Sequence, residues 1–443
     1  MEVTEMMSHE TNGQKLWERA KNVIPGGNML FSKRPELFLP GAWPSYFRSA
    51  KGCRLIGLDG TEYIDTFLMG VGTNTLGYGH PEVDEAVRDA VTAGNMSSLN
   101  CPEEVYLAEK LVELHPWAEM ARFARSGGEA DAIAIRIARA ASGKDNVAIC
   151  GYHGWHDWYL AANLIGEDEL SGHLLPGLPS NGVPRALRGT VHAFNYNKIQ
   201  ELEDLIRSSN IGTVVMEVSR NFGPEDGFLE KVRDLTQRNG IVLIFDECTS
   251  GFRQSLGGLH KVFGVEPDMA IFGKALGNGY AITAVIGRRS VMEHAQSSFI
   301  SSTFWTERIG PAAALKTLEV MERTQSWETI TETGRTVSRR WLELATAAGI
   351  KIQTWGIPAL SGFTIMSEKA LEYKTFITQE MLKKGYLAGT SIYCSIAHTE
   401  EVLQPYFEKM ETLFGTIAEC ENGKDIDSLL DGPVCQSGFK RLN

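Results

Sequence analysis

"IVLIFDECTSGFR" (Ile241 to Arg253) and "PDMAIFGKALGNG" (Pro267 to Gly279) decide how the chain reads. Each opens on a short run that is apolar at successive positions, which is the mark of a strand buried on both faces. Each run ends in a charged residue, Asp246 in the first and Lys274 in the second. A lysine at the end of such a run is ordinarily a solvated loop residue, since lysine is almost never fully buried unless paired. Its companions along the chain alter that expectation.

Working outward, the same alternation recurs. "NVAICGYH" is a short apolar strand, "IQELEDLIRSS" an amphipathic helix and "GTVVMEV" a second strand. "GFLEKVRDLTQRNG" is a helix ended by glycine, just before Ile241. Upstream, "EEVYLAEKLVELH" and "EADAIAIRIARAAS" have helical period, and residues 310–345 are again helical. Buried strands alternating with amphipathic helices predict an α/β fold with a mainly parallel sheet covered on both sides. Near the start, a helix over 14–24 precedes a strand-rich region in which Asp59-Gly60 marks a hairpin turn. The last hundred residues read as a smaller α+β unit. The expected organisation is 1–65 and 326–443 as the two parts of a small domain, with 66–325 as the large one.

The 443 residues are 43% hydrophobic and 22% charged, as in ordinary globular proteins. A net charge of -12 lacks the basic footprint of nucleic-acid binding. No run approaches the roughly 20 apolar residues of a membrane span, and the N-terminus lacks the pattern of a secretory signal. Seven scattered cysteines with no C-x-x-C pair fit free thiols in a reducing compartment. A cytoplasmic protein is expected.

In open α/β sheets, ligands gather at the carboxyl ends of the strands. Those ends carry Tyr152 and His153, Glu217, Asp246 and Lys274. Taken singly, Asp246 reads equally well as a helix cap, Glu217 as a surface acid and His153 as a satisfied edge histidine. Together they converge on one site. Ser126-Gly127-Gly128 stands immediately before a helix, where free N–H groups and the helix dipole favour phosphate. A phosphate cradle, a buried acid and a strand-end lysine together suggest pyridoxal 5'-phosphate. The lysine would form a Schiff base with its aldehyde, and the acid would keep its ring nitrogen protonated. His153, His156 and Asp157 also have the look of a metal set, but no further ligand motif supports one. No metal is expected.

These residues resemble the class III (subgroup II) pyridoxal-phosphate aminotransferases, in the branch of glutamate-1-semialdehyde aminomutase. "LIFDECTSGFR" followed by "FGKALGNG" carries the resemblance most strongly; "RSGGEADAIAIRIAR", "CGYHGWHD" and "SSTFWTERIGPAAAL" match in the right order. It implies fold type I, with a mainly parallel seven-stranded sheet in the large domain and a small α+β domain from both chain ends. It further implies that Lys274 holds the cofactor and transfers protons, Asp246 pairs with the ring nitrogen, and Cys248 lies behind the ring. Tyr152 would stack on the other face with His153 beside it, and Glu217 would be the acid near the substrate. Ser126, Gly127 and Gly128 would cradle the phosphate, although relatives commonly carry threonine or serine at the third position. Thr303 would reach the phosphate of the neighbouring subunit, implying a homodimer with shared sites.

The departures concern the substrate. Lys33 and Arg34 are the only candidates for a carboxylate in "NMLFSKRPELF", and the acid expected around Ile392 or Tyr393 is absent. "TFWTERIG", "VSRNFGPEDGFLEKVR" and "LLDGPVCQSGFKRLN" resemble a side branch often found with bacterial surface-sugar biosynthesis. Trp305, Glu307, Arg308 and Asn221 are therefore candidate contacts to a sugar-sized substrate, or else packing residues of a dimer. The expected activity is amino transfer from an amino acid to a carbonyl sugar or nucleotide-sugar. The alternative is the intramolecular shift of the aminomutase.

Overall fold

The computed structural model describes residues 12–166, 168–173, 177–219 and 221–438. They form two compact units, one from residues up to His80 together with those from Thr329 onward, the other from Pro81 to Glu328.

The smaller unit begins with the helix Asn12–Val23 and the strands β1 (Phe47–Lys51), β2 (Arg54–Gly57) and β3 (Glu62–Asp65). β2 and β3 pair antiparallel across the expected Asp59-Gly60 turn. There Gly60 takes φ 88° and the Asp59 carboxylate accepts the Thr61 N–H at 3.1 Å.

The larger unit holds β4 (Met120–Ala124), β5 (Asn146–Cys150), β6 (Val191–Ala193), β7 (Ile211–Glu217), β8 (Val242–Glu247), β9 (Met269–Phe272) and β10 (Thr283–Gly287). They make one seven-stranded sheet in the order β4-β10-β9-β8-β7-β5-β6. Only β10 runs against its neighbours in that sheet. β7, β8 and β9 are buried at every position, as their unbroken apolar runs require. The helix Gly127–Ser142 packs its Ile133, Ile135 and Ile137 into the same core as Val215, Ile244 and Ile271 of the sheet.

Alternation along β8 sends its two terminal acids to opposite faces. Glu247 is fully buried and pins the following loop, accepting from Ser250 Oγ at 3.1 Å, from the Leu259 N–H and from His260 Nδ1 at 2.5 Å. His260 Nε2 in turn accepts from Trp117 Nε1 at 2.9 Å. That leaves Asp246 to the other face.

The C-terminal part of the smaller unit contributes β11 (Ile352–Trp355), β12 (Leu360–Ile365), β13 (Tyr386–Leu387) and β14 (Ser391–Tyr393). β13 adds parallel to β3, completing the sheet β1-β2-β3-β13 from both chain ends, and β11-β12-β14 form a second sheet. Trp341, Phe363, Tyr373, Tyr406 and Phe414 fill that unit's core. The helical stretch expected over 310–345 is two helices, Ile309–Thr324 and Ser326–Ala348, broken where Gln325 takes φ 50°. No helix among the described residues is long and apolar enough to cross a membrane.

Candidate active site

The ladder of the larger sheet sets the spacing of the strand-end groups. Glu217 at the end of β7 is the register partner of Asp246 on β8, and Glu247 pairs with Phe272 on β9, two residues before Lys274. On the other side, Cys150 of β5 pairs with Met216, so Tyr152 and His153 leave the same edge. The in-register parallel strands thus bring these residues to one sheet edge.

Asp246 is 4% exposed. Its Oδ2 accepts from His153 Nδ1 at 2.8 Å, and its Oδ1 from the Cys248 N–H at 3.0 Å. Burial alone would raise its pKa, but the His153 contact, the Cys248 N–H and the Lys274 charge outweigh it, and Asp246 is held below the usual carboxylate range. His153, the neighbour of Tyr152 in the chain, thus turns its ring to Asp246. It is fully buried, and its Nε2 has no hydrogen-bond partner among the described residues.

Lys274 follows Gly273 at φ 43°, a left-handed conformation that costs a non-glycine residue on the order of 1–3 kcal/mol. In this half-buried position its Nζ donates to Thr249 Oγ1 at 2.7 Å. Cys248 Sγ lies between the two glycine segments. A methyl added to Gly127 would come within 3.5 Å of it, and one added to Gly273 within 3.2 Å. Burial, followed by the charge of Asp246, pushes the Cys248 thiol well up.

Glu217 is 6% exposed and accepts the Tyr152 N–H at 3.1 Å. Gly151, at φ 125°, makes this possible, because a Cβ there would come 2.7 Å from Glu217 Oε2. The Tyr152 ring meets Tyr159 edge-on at 5.9 Å, and the Tyr159 hydroxyl donates to Gly151 O at 3.0 Å.

The Ser126-Gly127-Gly128 segment opens the helix Gly127–Ser142, with Glu129 Oε2 accepting the Arg125 and Ser126 N–H groups at 3.0 and 2.9 Å. Gly128 is buried. A Cβ on it would lie 2.7 Å from His156 Nδ1, so the histidine ring takes the space a side chain at 128 would need. His156 Nδ1 is buried with no hydrogen-bond partner among the described residues, and burial lowers the pKa of the ring.

The other sequence candidates come from segments outside the strands of the larger sheet. Glu307 caps the helix Ile309–Thr324, accepting the Ile309 and Gly310 N–H groups at 2.8 and 2.9 Å, and pairs with Arg125 at 2.8 Å. Arg308 grips Glu103 through two bonds of 2.9 and 2.7 Å. Trp305 Nε1 donates to Glu129 at 3.2 Å, beside the cradle. Thr303 is exposed at the start of a one-turn helix, Thr303–Thr306, and Asn221 is exposed after β7. Lys33 and Arg34 belong to the smaller unit, where Lys33 is exposed and Arg34 lies over the Phe31 ring at 5.1 Å. Asp131, Thr249 and His156 were not expected at the site. Asp131 has a signal, as an acid inside a mostly apolar helical run, and His156 stands out only through its spacing from His153.

The set has the chemistry pyridoxal phosphate needs. It offers an anionic carboxylate for the ring nitrogen, a primary amine for the aldehyde, and a glycine-lined helix start with an orphaned ring nitrogen nearby for the phosphate.

The comparisons agree. A family model described as "Aminotransferase class-III" matches residues 42–405. The chain is 36% identical over 374 residues to a 3-aminobutyryl-CoA aminotransferase of Cloacimonas acidaminovorans, covering 82% of this chain and 86% of that one. It is 30% identical to a glutamate-1-semialdehyde 2,1-aminomutase of Methanothermobacter thermautotrophicus over 90% of this chain and 97% of that one. In fold it resembles the FumI protein of Sphingopyxis sp. MTA144, solved in its PLP internal aldimine form, with a TM-score of 0.83 at 24% identity over 94% and 99% of the two chains. The chain belongs to the class III aminotransferases, the pyridoxal-phosphate enzymes that include transaminases and aminomutases.

Proposed function

We propose that the chain is a transaminase that takes an amino group from an amino-acid donor and delivers it to a ketone or aldehyde on a hydroxylated, sugar-sized acceptor. The observation that carries the choice of acceptor is a pair of large aromatics exposed on loops that leave the site's strand ends. Trp155, after β5, is 69% exposed, and Phe222, after β7, is 58% exposed. Ser219 Oγ donates to the Phe222 carbonyl at 2.8 Å and fixes that loop. Such faces suit the apolar flanks of a sugar ring, while Asn221 next to Phe222 offers polar contacts, and paired polar groups set specificity for hydroxyls. Glu307 and Arg308 are engaged within the chain and contribute by shaping the loop.

When bound, pyridoxal phosphate supplies the electron sink that makes the amine-bearing carbon acidic. In this reading Lys274 Nζ is the attachment point and afterwards moves the proton at that carbon, with Thr249 Oγ1 orienting it. Asp246 would accept the N–H of the ring nitrogen, and Tyr152 and Cys248 would pack against the ring. The N–H groups of Gly127 and Gly128 would bind the phosphate, with Ser126 beside them and its own N–H held by Glu129. Glu217 fixes Tyr152 through its backbone and stands on the substrate side. Thr303 serves the partner subunit's phosphate in a homodimer.

A second reading, the aminomutase, is favoured by a 30% identity that spans 97% of the aminomutase relative. The test is to incubate the pyridoxamine-phosphate-loaded protein with keto-sugars or their nucleotide conjugates and, separately, with glutamate-1-semialdehyde. Conversion of a sugar ketone to an amino sugar supports the transaminase. Efficient formation of 5-aminolevulinate with no turnover of any sugar establishes the aminomutase instead.

A further inference from the structure

Asp131 sits in the first turns of the helix Gly127–Ser142, 2% exposed among buried Ala130, Ile133, Ala134 and Ile135. An acid there is costly unless something answers it. What it meets is the Asp246 end of the candidate site: one side-chain oxygen or nitrogen each from Asp131, His153 and Asp246 lies within 4.8 Å of the others. Two ionised carboxylates at that separation repel strongly away from water. A buried pair this close keeps one proton between its members.

The hydrogen bonds say which acid keeps it. Asp246 has His153 Nδ1 on one oxygen and the Cys248 N–H on the other. Asp131 Oδ1 is buried with no hydrogen-bond partner among the described residues. The remaining charged groups that act on it are Glu217, which opposes its ionisation, and Lys274, which favours it. Burial, followed by the charges of Asp246 and Glu217, pushes the Asp131 carboxyl well above the carboxylate range.

We propose that Asp131 is a positioning residue whose protonated carboxyl hydrogen-bonds Asp246, keeping the negative charge of this pair on Asp246, the acid that would meet the cofactor's ring nitrogen. Asp246 then has three protein donors, His153, Cys248 and Asp131, and a polarised network of this kind holds the acid in one orientation. The same three side chains offer a metal ion only three ligand atoms, two of them on acids that a shared proton already satisfies. The inference rests on pyridoxal phosphate being the bound group.

The experiment compares Asp131→Asn and Asp131→Ala in the full-length protein, reconstituted with cofactor labelled with ¹⁵N in the ring. The asparagine keeps a neutral donor of the same shape; the alanine removes it. The readouts are the ring-nitrogen chemical shift, which reports its protonation, and the cofactor's dissociation constant. Asp131→Asn should keep the protonated shift and bind within threefold of wild type. Asp131→Ala should bind at least tenfold more weakly and move the shift toward the neutral form. An alanine variant matching wild type in both readouts overturns the proposal. So does an asparagine variant that folds, by its melting curve, yet is as impaired as alanine, because that would require an ionised Asp131. If the alanine variant fails to fold, the asparagine variant decides alone by the same criterion. Stoichiometric zinc or manganese binding by wild type, lost in Asp131→Asn, would assign the cluster to a metal and overturn the proposal as well. A wild-type protein that binds no pyridoxal phosphate removes the cofactor assignment itself, a result distinct from any difference between the variants.

Discussion

Gly128→Thr puts a side chain into the glycine cradle, and in this chain it should be harmful. The new Cβ would stand 2.7 Å from His156 Nδ1 and 2.9 Å from its Cε1, where ordinary contact begins near 3.4 Å. The imidazole must retreat, yet it is stacked on Trp155 with ring centroids 4.6 Å apart. Overpacking of this kind costs about 1–3 kcal/mol, which corresponds to roughly a 5- to 150-fold loss of affinity if the strain falls on the bound state. Titrating the apo-protein with pyridoxal phosphate measures it, with pyridoxal lacking the phosphate as the control. The single variant should lose affinity for the phosphate form and keep its affinity for pyridoxal. Adding His156→Ala should return the phosphate form to within about threefold of wild type, because the threonine then has the space the ring held. A single variant that binds like wild type, or a double variant no better than the single, refutes the idea that positions 128 and 156 shape the cradle jointly.

Borohydride treatment of the loaded protein followed by peptide mapping should place the cofactor on Lys274; a label on another lysine refutes that role. Asp246→Asn should retain bound cofactor while kcat falls on the order of 100-fold or more, about 3 kcal/mol of barrier; near-normal turnover would show that the ring nitrogen has another partner. Mixing Lys274→Ala with Thr303→Ala protein should restore activity by building one undamaged site per mixed dimer, and the absence of recovery despite verified subunit exchange would count against shared sites. His115 is fully buried between Leu111 O at 2.8 Å and the Gly258 N–H at 2.9 Å, and burial lowers its pKa to about 4. The unfolded chain then binds more protons between about pH 4 and 6.5, so His115 contributes fully above 6.5 and the contribution is lost as pH falls through that window, up to about 3 kcal/mol. The melting temperature should drop on acidification from pH 7.5 to 5, and less steeply in His115→Gln; equal slopes would refute the assignment.

The middle of the large sheet was legible because β7, β8 and β9 are buried on both faces and must be apolar at every position. Their terminal acids and the lysine stand out against such runs. The edge was not legible in the same way. β4 reads "MARFA", and its Arg122 hides the strand pattern until its guanidinium is seen donating to Ile300 O at 2.7 Å. The candidate site divides along similar lines. Asp246 and Lys274 announce themselves locally, but the partners that set their state, His153, Asp131 and Thr249, come from other segments brought together only by folding. "TFWTERIG" shows the converse error to which sequence reading is open: its polar side chains invite a binding role, whereas Glu307 and Arg308 spend their hydrogen bonds on a helix start and on Glu103.

The register of β7 against β8 has a consequence for how such a protein can diverge. Glu217 and Asp246 face each other across one rung of a parallel ladder, and neighbouring strands lie about 4.8 Å apart whatever their side chains. That interval behaves as a ruler made of backbone. A one-residue deletion in β8 would swap faces, sending Asp246 to where Glu247 anchors its loop and replacing it with the anchor. Substitutions in the loops beyond the strand ends, where Trp155 and Phe222 stand exposed, leave the ruler untouched. Descendants of this chain can therefore exchange one substrate for another by rewriting loops, while an insertion or deletion within the strands ends the lineage's chemistry.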